Sequence, residues 1–243
     1  MKVKETLGLF AWEVINPIAL RMNKEKHYEF NERYAGINLG CGLDNPSNWL
    51  GIDGGVCVLF RKTPIPILKR IYKYSRLGKA YTLEDYIKRV RGTPLLHHDL
   101  GGGIPFHDNS VPAIYSSHFF EHLTKADSEA LLKECFRVLK PRGMIRVVVP
   151  LLETEVKKIK QAIALYDDGD STQIQKYVTS DNVGFVNAYS NHRWMYDFQD
   201  MRAVLSGAGF VEIERRSFGE GNLTDVKRLD TRGGLFVEAR KSA

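Results

Sequence analysis

The stretch that decides the fold is "NLGCGLD", residues Asn38–Asp44. It continues a short apolar run, so we predict a buried strand over residues 36–40 that ends in this loop. Gly40 and Gly42 leave the backbone free to approach a ligand closely. A second apolar stretch, "WLGIDG", follows over residues 49–54 and carries Asp53 at its end. The pattern indicates neighbouring strands whose polar ends meet at one edge of a sheet.

The spacing of these residues favours a nucleoside over a dinucleotide. A dinucleotide fingerprint needs a third glycine where this chain has Asn45, and an acidic residue much further along. Asp53 comes too soon after Gly42 for a long intervening helix. A carboxylate there can accept both hydroxyls of a ribose. Asp99, at the end of a third predicted strand over residues 94–100, can accept from an adenine amino group, with Leu100 against the ring.

The rest of the chain alternates strands with helices. Further strands are predicted at residues 113–117, 144–149, 211–216 and 234–240, and clear helices near 128–139 and 198–208. This alternation predicts an α/β fold of the Rossmann-like type, with a mainly parallel sheet covered by helices on both faces. In such sheets, ligands bind beyond the carboxyl ends of the strands.

Composition describes a globular chain with a cationic excess. The 243 residues are 43% hydrophobic and 26% charged, with a formal net charge of +6. That charge permits an anionic partner but does not identify one. Three cysteines without a CxxC motif argue against a disulfide framework, so we expect a cytoplasmic protein. The apolar N-terminal segment 7–22 is interrupted by Glu13 and Pro17, which favours a helical cap over a signal peptide, with peripheral membrane contact as the minority alternative.

Seven segments in a fixed order carry a family resemblance. They include "INLGCG", "NWLGIDG", "HDLGGGIPFHDNSV", "YSSHFFEHL" and "VLKPRGMIRVVVP", and they resume after residue 191 with "HRWMYDFQDMRAVLSGAGF" and "LFVEARK". The chain resembles class I S-adenosylmethionine-dependent methyltransferases, and within them small bacterial and archaeal enzymes with a shortened first loop. Two positions depart from the pattern: Pro112 replaces the usual acidic residue, and Arg142 replaces the usual glycine.

The resemblance implies a seven-stranded sheet with its last strand antiparallel, and S-adenosylmethionine as the cofactor. Together with the residue pattern, it gives the following predicted cofactor-binding residues: Asn38, Gly40, Cys41, Gly42, Asp53, Gly54, Asp99, Leu100 and Ser116.

The stretch "HFFEH", residues 118–122, has the histidine spacing of a zinc hydrolase. A zinc pair needs both histidines on one helical face, but His118 is predicted to end a strand, and we therefore predict no metal site. His118 is instead predicted as the catalytic base or as a residue that orients the acceptor. His192 is the rival base. Glu121 and His122 are expected to cap and pack the following helical segment.

The acceptor is predicted by elimination and by analogy with the resembling family. The loop after the fourth strand lacks the Asp/Asn-Pro-Pro-aromatic pattern of amino-group methylation and the Pro-Cys pattern of cytosine carbon methylation. This favours a hydroxyl on a small molecule or a glycan, anionic or lipid-linked, over a nucleic acid. A binding protein that holds the cofactor without turnover is the alternative, and a metal hydrolase is the least favoured one.

A single methyltransferase domain, 1–243, is expected. Within it, 1–35 is predicted as an N-terminal helical cap, 56–92 as a basic insertion, and 151–191 as a cover for the acceptor pocket.

Overall fold

The computed structural model of the chain describes residues 14–74, 78, 81–172 and 192–243. One sheet organises these residues. Its strands are β1 (Ile37–Leu39), β2 (Leu50–Asp53), β3 (Leu95–His97), β4 (Val111–Ser117), β5 (Leu139–Val149), β6 (Val211–Arg216) and β7 (Leu235–Arg240). The helices are α1 (Asn16–Asn23), α2 (Val56–Leu59), α3 (Ile65–Tyr74), α4 (Leu83–Gly92), α5 (Lys125–Val138), α6 (Leu152–Asp167), α7 (Phe198–Gly207) and α8 (Val226–Leu229).

The strand order across the sheet is β3-β2-β1-β4-β5-β7-β6. The first five strands in this order run parallel, whereas β7 lies antiparallel to both β5 and β6. The order reverses between β1 and β4, which places a crevice at the carboxyl ends of those two strands. The predicted α/β class and the antiparallel last strand are both confirmed.

Helices cover both faces of the sheet. On one face, α5 and α7 bury an apolar stripe that includes Leu132, Cys135 and Leu205 against the central strands. On the other face, α3 and α4 pack through Leu68 and Tyr86. The central strands are buried on both faces, so they consist of near-continuous apolar runs rather than alternating ones.

The connection from β1 to β2 contains no helix. Residues 40–49 form turns and return directly to the sheet, where the fully buried Trp49 immediately precedes the second strand. The sheet face beside this loop is covered instead by α8 and the segment before it, through Leu223 and Leu229. Asp225 fixes this cover to the loop, because its carboxylate accepts from Trp49 Nε1 at 3.1 Å.

A fully buried ion network holds the α8 region in place. Arg146 in β5 donates to both carboxylate oxygens of Asp230, at 3.1 and 2.6 Å, and to Glu238 at 3.0 Å. It also donates to the carbonyls of Ser217 and Glu220. Because the hydrogen bonds of this guanidinium go to charged or backbone acceptors, the network offsets the cost of removing the charges from water.

Local boundaries differ from the sequence expectation most where α5 meets β5. The helix predicted over 128–139 begins at Lys125 and ends at Val138, and β5 starts at Leu139 rather than at Met144. Pro141 therefore lies in the strand and not at the helix end. The reason is the pairing of Leu139 with Val111 in β4, which extends the sheet. Among the described residues, no helix has the length and apolar character needed to span a membrane.

Candidate functional site

The glycine loop after β1 adopts the conformation that its sequence requires. Gly40 and Gly42 have φ angles of 63° and 57°, in the left-handed region that favours glycine. A Cβ on Gly40 would lie 2.3 Å from the Phe119 ring, whereas one on Gly42 would meet nothing within 4 Å. The left-handed backbone at position 40 and the nearby Phe119 ring therefore both require glycine there. Gly42 borders open space, where a ligand can approach the backbone.

Asp53 ties this loop to the end of β2. Its Oδ2 accepts from Gly42 N at 2.8 Å and its Oδ1 accepts from Gly55 N at 2.6 Å. A carboxylate offers roughly four acceptor positions, so about two remain for the hydroxyls of a ribose. Burial raises the pKa of Asp53, and the two backbone hydrogen bonds oppose this shift. The carboxylate is thus already oriented and partly desolvated.

Asp99 and Leu100 were expected within the third strand, but β3 ends at His97 and both residues follow it. Asp53 pairs with His97 across β2 and β3, which places both acidic strand ends at the same edge. Asp99 is exposed, and its Oδ1 caps a 3₁₀ turn (Leu100–Gly102) by accepting from Gly101 N at 3.0 Å. Leu100 is buried against the core and does not lie open to this edge.

Helix α1 lies against the same edge. Asn16 donates from Nδ2 to the Gly54 carbonyl at 2.9 Å, and its Oδ1 lies 2.9 Å from His97 Nε2. Leu20 approaches the position that a Cβ on Gly54 would take. The N-terminal segment therefore covers the edge beside Asp53, and the part of the predicted cap at residues 1–13 lies outside the described residues.

Three predicted cofactor residues have side chains committed to the protein itself. The Ser116 hydroxyl is fully buried and donates to the Leu39 carbonyl at 3.2 Å. Asn38 is buried and donates from Nδ2 to the Asp44 carbonyl at 3.4 Å. Cys41 packs its sulfur towards Gly51, where an added Cβ would lie 2.5 Å away. Of these residues, Cys41 can therefore contact a ligand through its backbone atoms. Ser116 lies inside the sheet.

His118 leaves β4 at the crevice. Its φ of 53° is unusual for a residue with a side chain and turns the imidazole out of the strand direction. Its Nε2 lies 3.0 Å from the Gly233 carbonyl oxygen, and its Nδ1 lies 3.4 Å from Glu121 Oε1. Because a carbonyl only accepts, Nε2 carries a proton and Nδ1 is the nitrogen that can take one.

Glu121 is a functional candidate that sequence reasoning placed in a packing role. It lies in a 3₁₀ turn (Phe120–His122), is 1% exposed, and neither carboxylate oxygen has a hydrogen-bond partner among the described residues. His122 Nε2 lies 3.9 Å from its Oε1, and the ring of His192 lies against His122 with centroids 5.2 Å apart. His192 is distant from Glu121 in sequence, but the fold brings it close to Glu121.

A cavity of about 260 Å³ opens beside the glycine loop, on the sheet face that lacks a helix after β1. Its lining is mostly polar and includes Asn38, Cys41, Ser117 and three arginines, Arg89, Arg228 and Arg232. Arg89 pairs with Asp44 in the loop. Most of the described basic residues of the predicted insertion, by contrast, are exposed, and Lys69, Arg70 and Lys73 on α3 face solvent.

The site fits S-adenosylmethionine. Open space borders Gly42, and Asp53 keeps acceptor positions beyond its two backbone hydrogen bonds. A second carboxylate, Asp99, lies two residues beyond the end of the adjacent strand. These are the groups that a nucleoside requires at the carboxyl edge of a parallel sheet.

Comparison with known proteins adds a family match. The family model described as "Methyltransferase domain" matches residues 79–147, which contain α4, β3, β4, α5 and most of β5. No curated protein matches the chain.

Three methyltransferase structures are among the solved structures whose chain trace resembles this one. A chain in the Haloferax volcanii complex between the Trm112 methyltransferase activator and a methyltransferase is 16% identical, with a TM-score of 0.46 and 97% of each chain covered. An S-adenosylmethionine-dependent methyltransferase from Thermotoga maritima is 15% identical, with a TM-score of 0.46, covering 96% of this chain and 99% of that one. One from Archaeoglobus fulgidus is 14% identical, with a TM-score of 0.44 and 94% of each chain covered. Likeness at this level assigns no residue a role.

The sheet order with its antiparallel β7 and the methyltransferase-domain match define a class I methyltransferase. The protein is an S-adenosylmethionine-dependent enzyme of that class, and S-adenosylmethionine is its cofactor.

Proposed function

We propose that this methyltransferase methylates a hydroxyl group of a small molecule or a glycan. The observation that carries the proposal is the position of His118. The residue directly follows β4, and its neighbour Phe119 contacts the glycine loop at Gly40. His118 therefore lies one residue from the contact with the glycine loop, at the carboxyl end of β4. A hydroxyl is a poor nucleophile until its proton is removed, and histidine suits that task near neutral pH.

S-adenosylmethionine supplies an activated methyl group, so the protein must align the acceptor and accept its proton. The Nδ1 atom of His118 is the nitrogen that would take the proton. Glu121 Oε1, 3.4 Å away, would stabilise the imidazolium that forms. The carbonyl of Gly233 fixes the ring from the other side through Nε2. His192 is the rival base, since it is exposed and lies beside His122.

The cavity beside the glycine loop supports an anionic acceptor of limited size. Its volume of about 260 Å³ suits one sugar ring or a comparable group rather than a polymer. Arg228 and Arg232 line it and are exposed, so they can pair with a phosphate or carboxylate that enters. The predicted pocket cover at 151–191 begins with helix α6, and residues 173–191 of it lie outside the described residues.

The test of this function is transfer of labelled methyl groups from S-adenosylmethionine to fractionated cell extract, followed by identification of the methylated atom. We expect the label on an oxygen. Label on nitrogen or carbon would contradict the hydroxyl proposal. Absence of turnover with every fraction, despite cofactor binding, would instead favour a binding protein.

The roles of the histidines are then separated in single-turnover experiments. His118→Ala should lower the rate by about 10²–10⁴-fold, the range for a general base. It should leave cofactor affinity within a factor of a few, because His118 makes no contact with Asp53 or Asp99. His107→Ala, an exposed histidine away from the crevice, is the control. A normal rate for His118→Ala together with a slow His192→Ala would move the base to His192.

A further inference from the structure

Glu121 is a buried carboxylate whose charge has no hydrogen-bond donor among the described residues. Burying an ionised group without compensation costs several kcal/mol, so carboxylates in such positions are paired or bind metal ions. The nearest positive candidates are imidazoles, with His118 Nδ1 at 3.4 Å and His122 Nε2 at 3.9 Å from Oε1. Both distances are long for a charge-assisted hydrogen bond. The carboxylate therefore lacks a partner at contact distance.

Backbone hydrogen bonds bring a third metal-binding side chain, that of His192, close to the Glu121 carboxylate. The carbonyl oxygen of Glu121 accepts from the amide of Arg193 at 2.7 Å and from that of Trp194 at 3.3 Å. These bonds hold the segment that begins at His192 against the 3₁₀ turn. One ligand atom each from Glu121, His122 and His192 then lies within 4.8 Å of the others. His192 is exposed, so the group opens towards solvent.

We propose that Glu121, His122 and His192 bind one divalent transition-metal ion, of the kind represented by Zn²⁺ and Mn²⁺. Two imidazoles and a carboxylate form a ligand set that these ions accept, with positions left for water or substrate. Metal–ligand bonds of about 2.0–2.2 Å require the three atoms to close inwards from their present spacing. His192 can supply that movement because it is exposed.

The proposed site differs from the metal motif that "HFFEH" suggests. His118 and His122 do not share a helical face, because His118 directly follows β4 and His122 lies in a separate 3₁₀ turn. The second imidazole comes instead from His192. The expectation that the chain holds no metal rested on the break between His118 and His122 and on the lack of a later acidic pair as a third ligand. It did not consider a histidine from the segment after residue 191 as that ligand.

The metal would act on the acceptor, and this role rests on the proposed function. A hydroxyl bound at an open metal position loses its proton more readily, because the cation stabilises the alkoxide. His118, beside Glu121 on the other side, would receive that proton at Nδ1. His192 would then serve as a ligand rather than as a base, since its lone pair is bound to the metal.

The experiment measures metal binding without acceptor or cofactor. Chelator-treated full-length protein is titrated with ZnCl₂ and, separately, with MnCl₂ by calorimetry, and Co²⁺ absorption spectra report the ligand number. We expect a single saturable site for at least one of these ions. His192→Ala and Glu121→Gln should each weaken binding by at least about 100-fold, since losing a ligand exceeds the 10–100-fold effect of outer-shell changes. His107→Ala should bind as the wild type does.

Two outcomes would overturn the metal site: no saturable binding of any of these ions up to about 1 mM, or wild-type affinity in His192→Ala. The first outcome would leave the three residues as a charge-paired histidine cluster only. His192→Ala removes an exposed side chain, so it keeps the test valid should Glu121→Gln fail to fold. Binding of S-adenosylmethionine is measured on the same samples, so that loss of the metal site and failure of the methyltransferase function give different results.

Discussion

Asp53 should control cofactor affinity, and the structure sets the size of the effect. In Asp53→Asn, the side chain keeps its shape but replaces one carboxylate oxygen with an amide nitrogen. That amide cannot accept from both Gly42 N and Gly55 N, which now bond to Oδ2 at 2.8 Å and Oδ1 at 2.6 Å. The variant also loses the charge that would accept the ribose hydroxyls. Losing hydrogen bonds to a charged group costs about 1.5–3 kcal/mol.

This cost corresponds to a dissociation constant raised by about 10- to 150-fold. Calorimetry with S-adenosylmethionine and with its demethylated product measures it directly. The affinities for both ligands should fall by the same factor, because the two ligands share the nucleoside. Asp108→Ala is the matched control, since Asp108 is an exposed carboxylate paired with Arg137 and lies outside the glycine loop. An unchanged affinity in Asp53→Asn would remove Asp53 from the site and refute the reasoning.

The pH dependence of binding gives a second measure. Burial raises the pKa of Asp53 above its usual value of 3.8. The charged form is the one that accepts from ribose hydroxyls, so wild-type affinity should fall on acidification at a higher pH than for an exposed aspartate. Asp53→Asn has no carboxylate at this position, so its weaker affinity should be flat over the same range. The same pH slope in both proteins would assign it to another group.

The remaining predictions concern stability and the N-terminal cap. Asp230→Ala should lower the free energy of unfolding in urea by about 3–5 kcal/mol, because it leaves the buried Arg146 without its main partner. Lys140→Ala, at an exposed ion pair, should lower it by less than about 1 kcal/mol. Equal losses in the two variants would refute the argument. Burial lowers the pKa of His97 from 6.5 in the folded protein. Neutral His97 therefore contributes to the free energy of unfolding above pH 6.5. This contribution is lost as the pH falls through the pKa of the folded state. The protection factors for hydrogen exchange in residues 16–23, which correct for the intrinsic pH dependence of exchange, should therefore fall on acidification, because protonated His97 Nδ1 cannot accept from Asn23. His97→Leu should remove this pH difference.

The fold could be predicted from local patterns because each pattern lies within one strand and its loop. The run into Gly40 and the carboxylate at Asp53 are close in sequence, and parallel pairing of β1 with β2 brings them together. The antiparallel last strand came from the resemblance and not from periodicity, which cannot give strand direction. Helix boundaries were less accurate, since Leu139 joins the sheet through a pairing with Val111 that no local signal marks.

The side-chain contacts of the site could not be predicted in the same way. Ser116 was expected at the cofactor, but alternation along β4 directs its hydroxyl to the Leu39 carbonyl, and Ser117 lines the cavity instead. The approach of His192 to His122 depends on backbone hydrogen bonds from the segment after residue 191 to Glu121. Such contacts join distant parts of the chain, and sequence spacing carries no information about them.

The short β1–β2 connection explains why the cavity is cationic. A helix after β1 would cover the sheet face beside the glycine loop with an apolar stripe. Here α8 covers part of that face, and Asp230, bonded to the buried Arg146, anchors the chain on which Arg228 and Arg232 lie. The buried ion network thus fixes the position of the exposed cations. We therefore expect charge changes at Arg232 to alter acceptor selection more than changes in the exposed basic residues of α3.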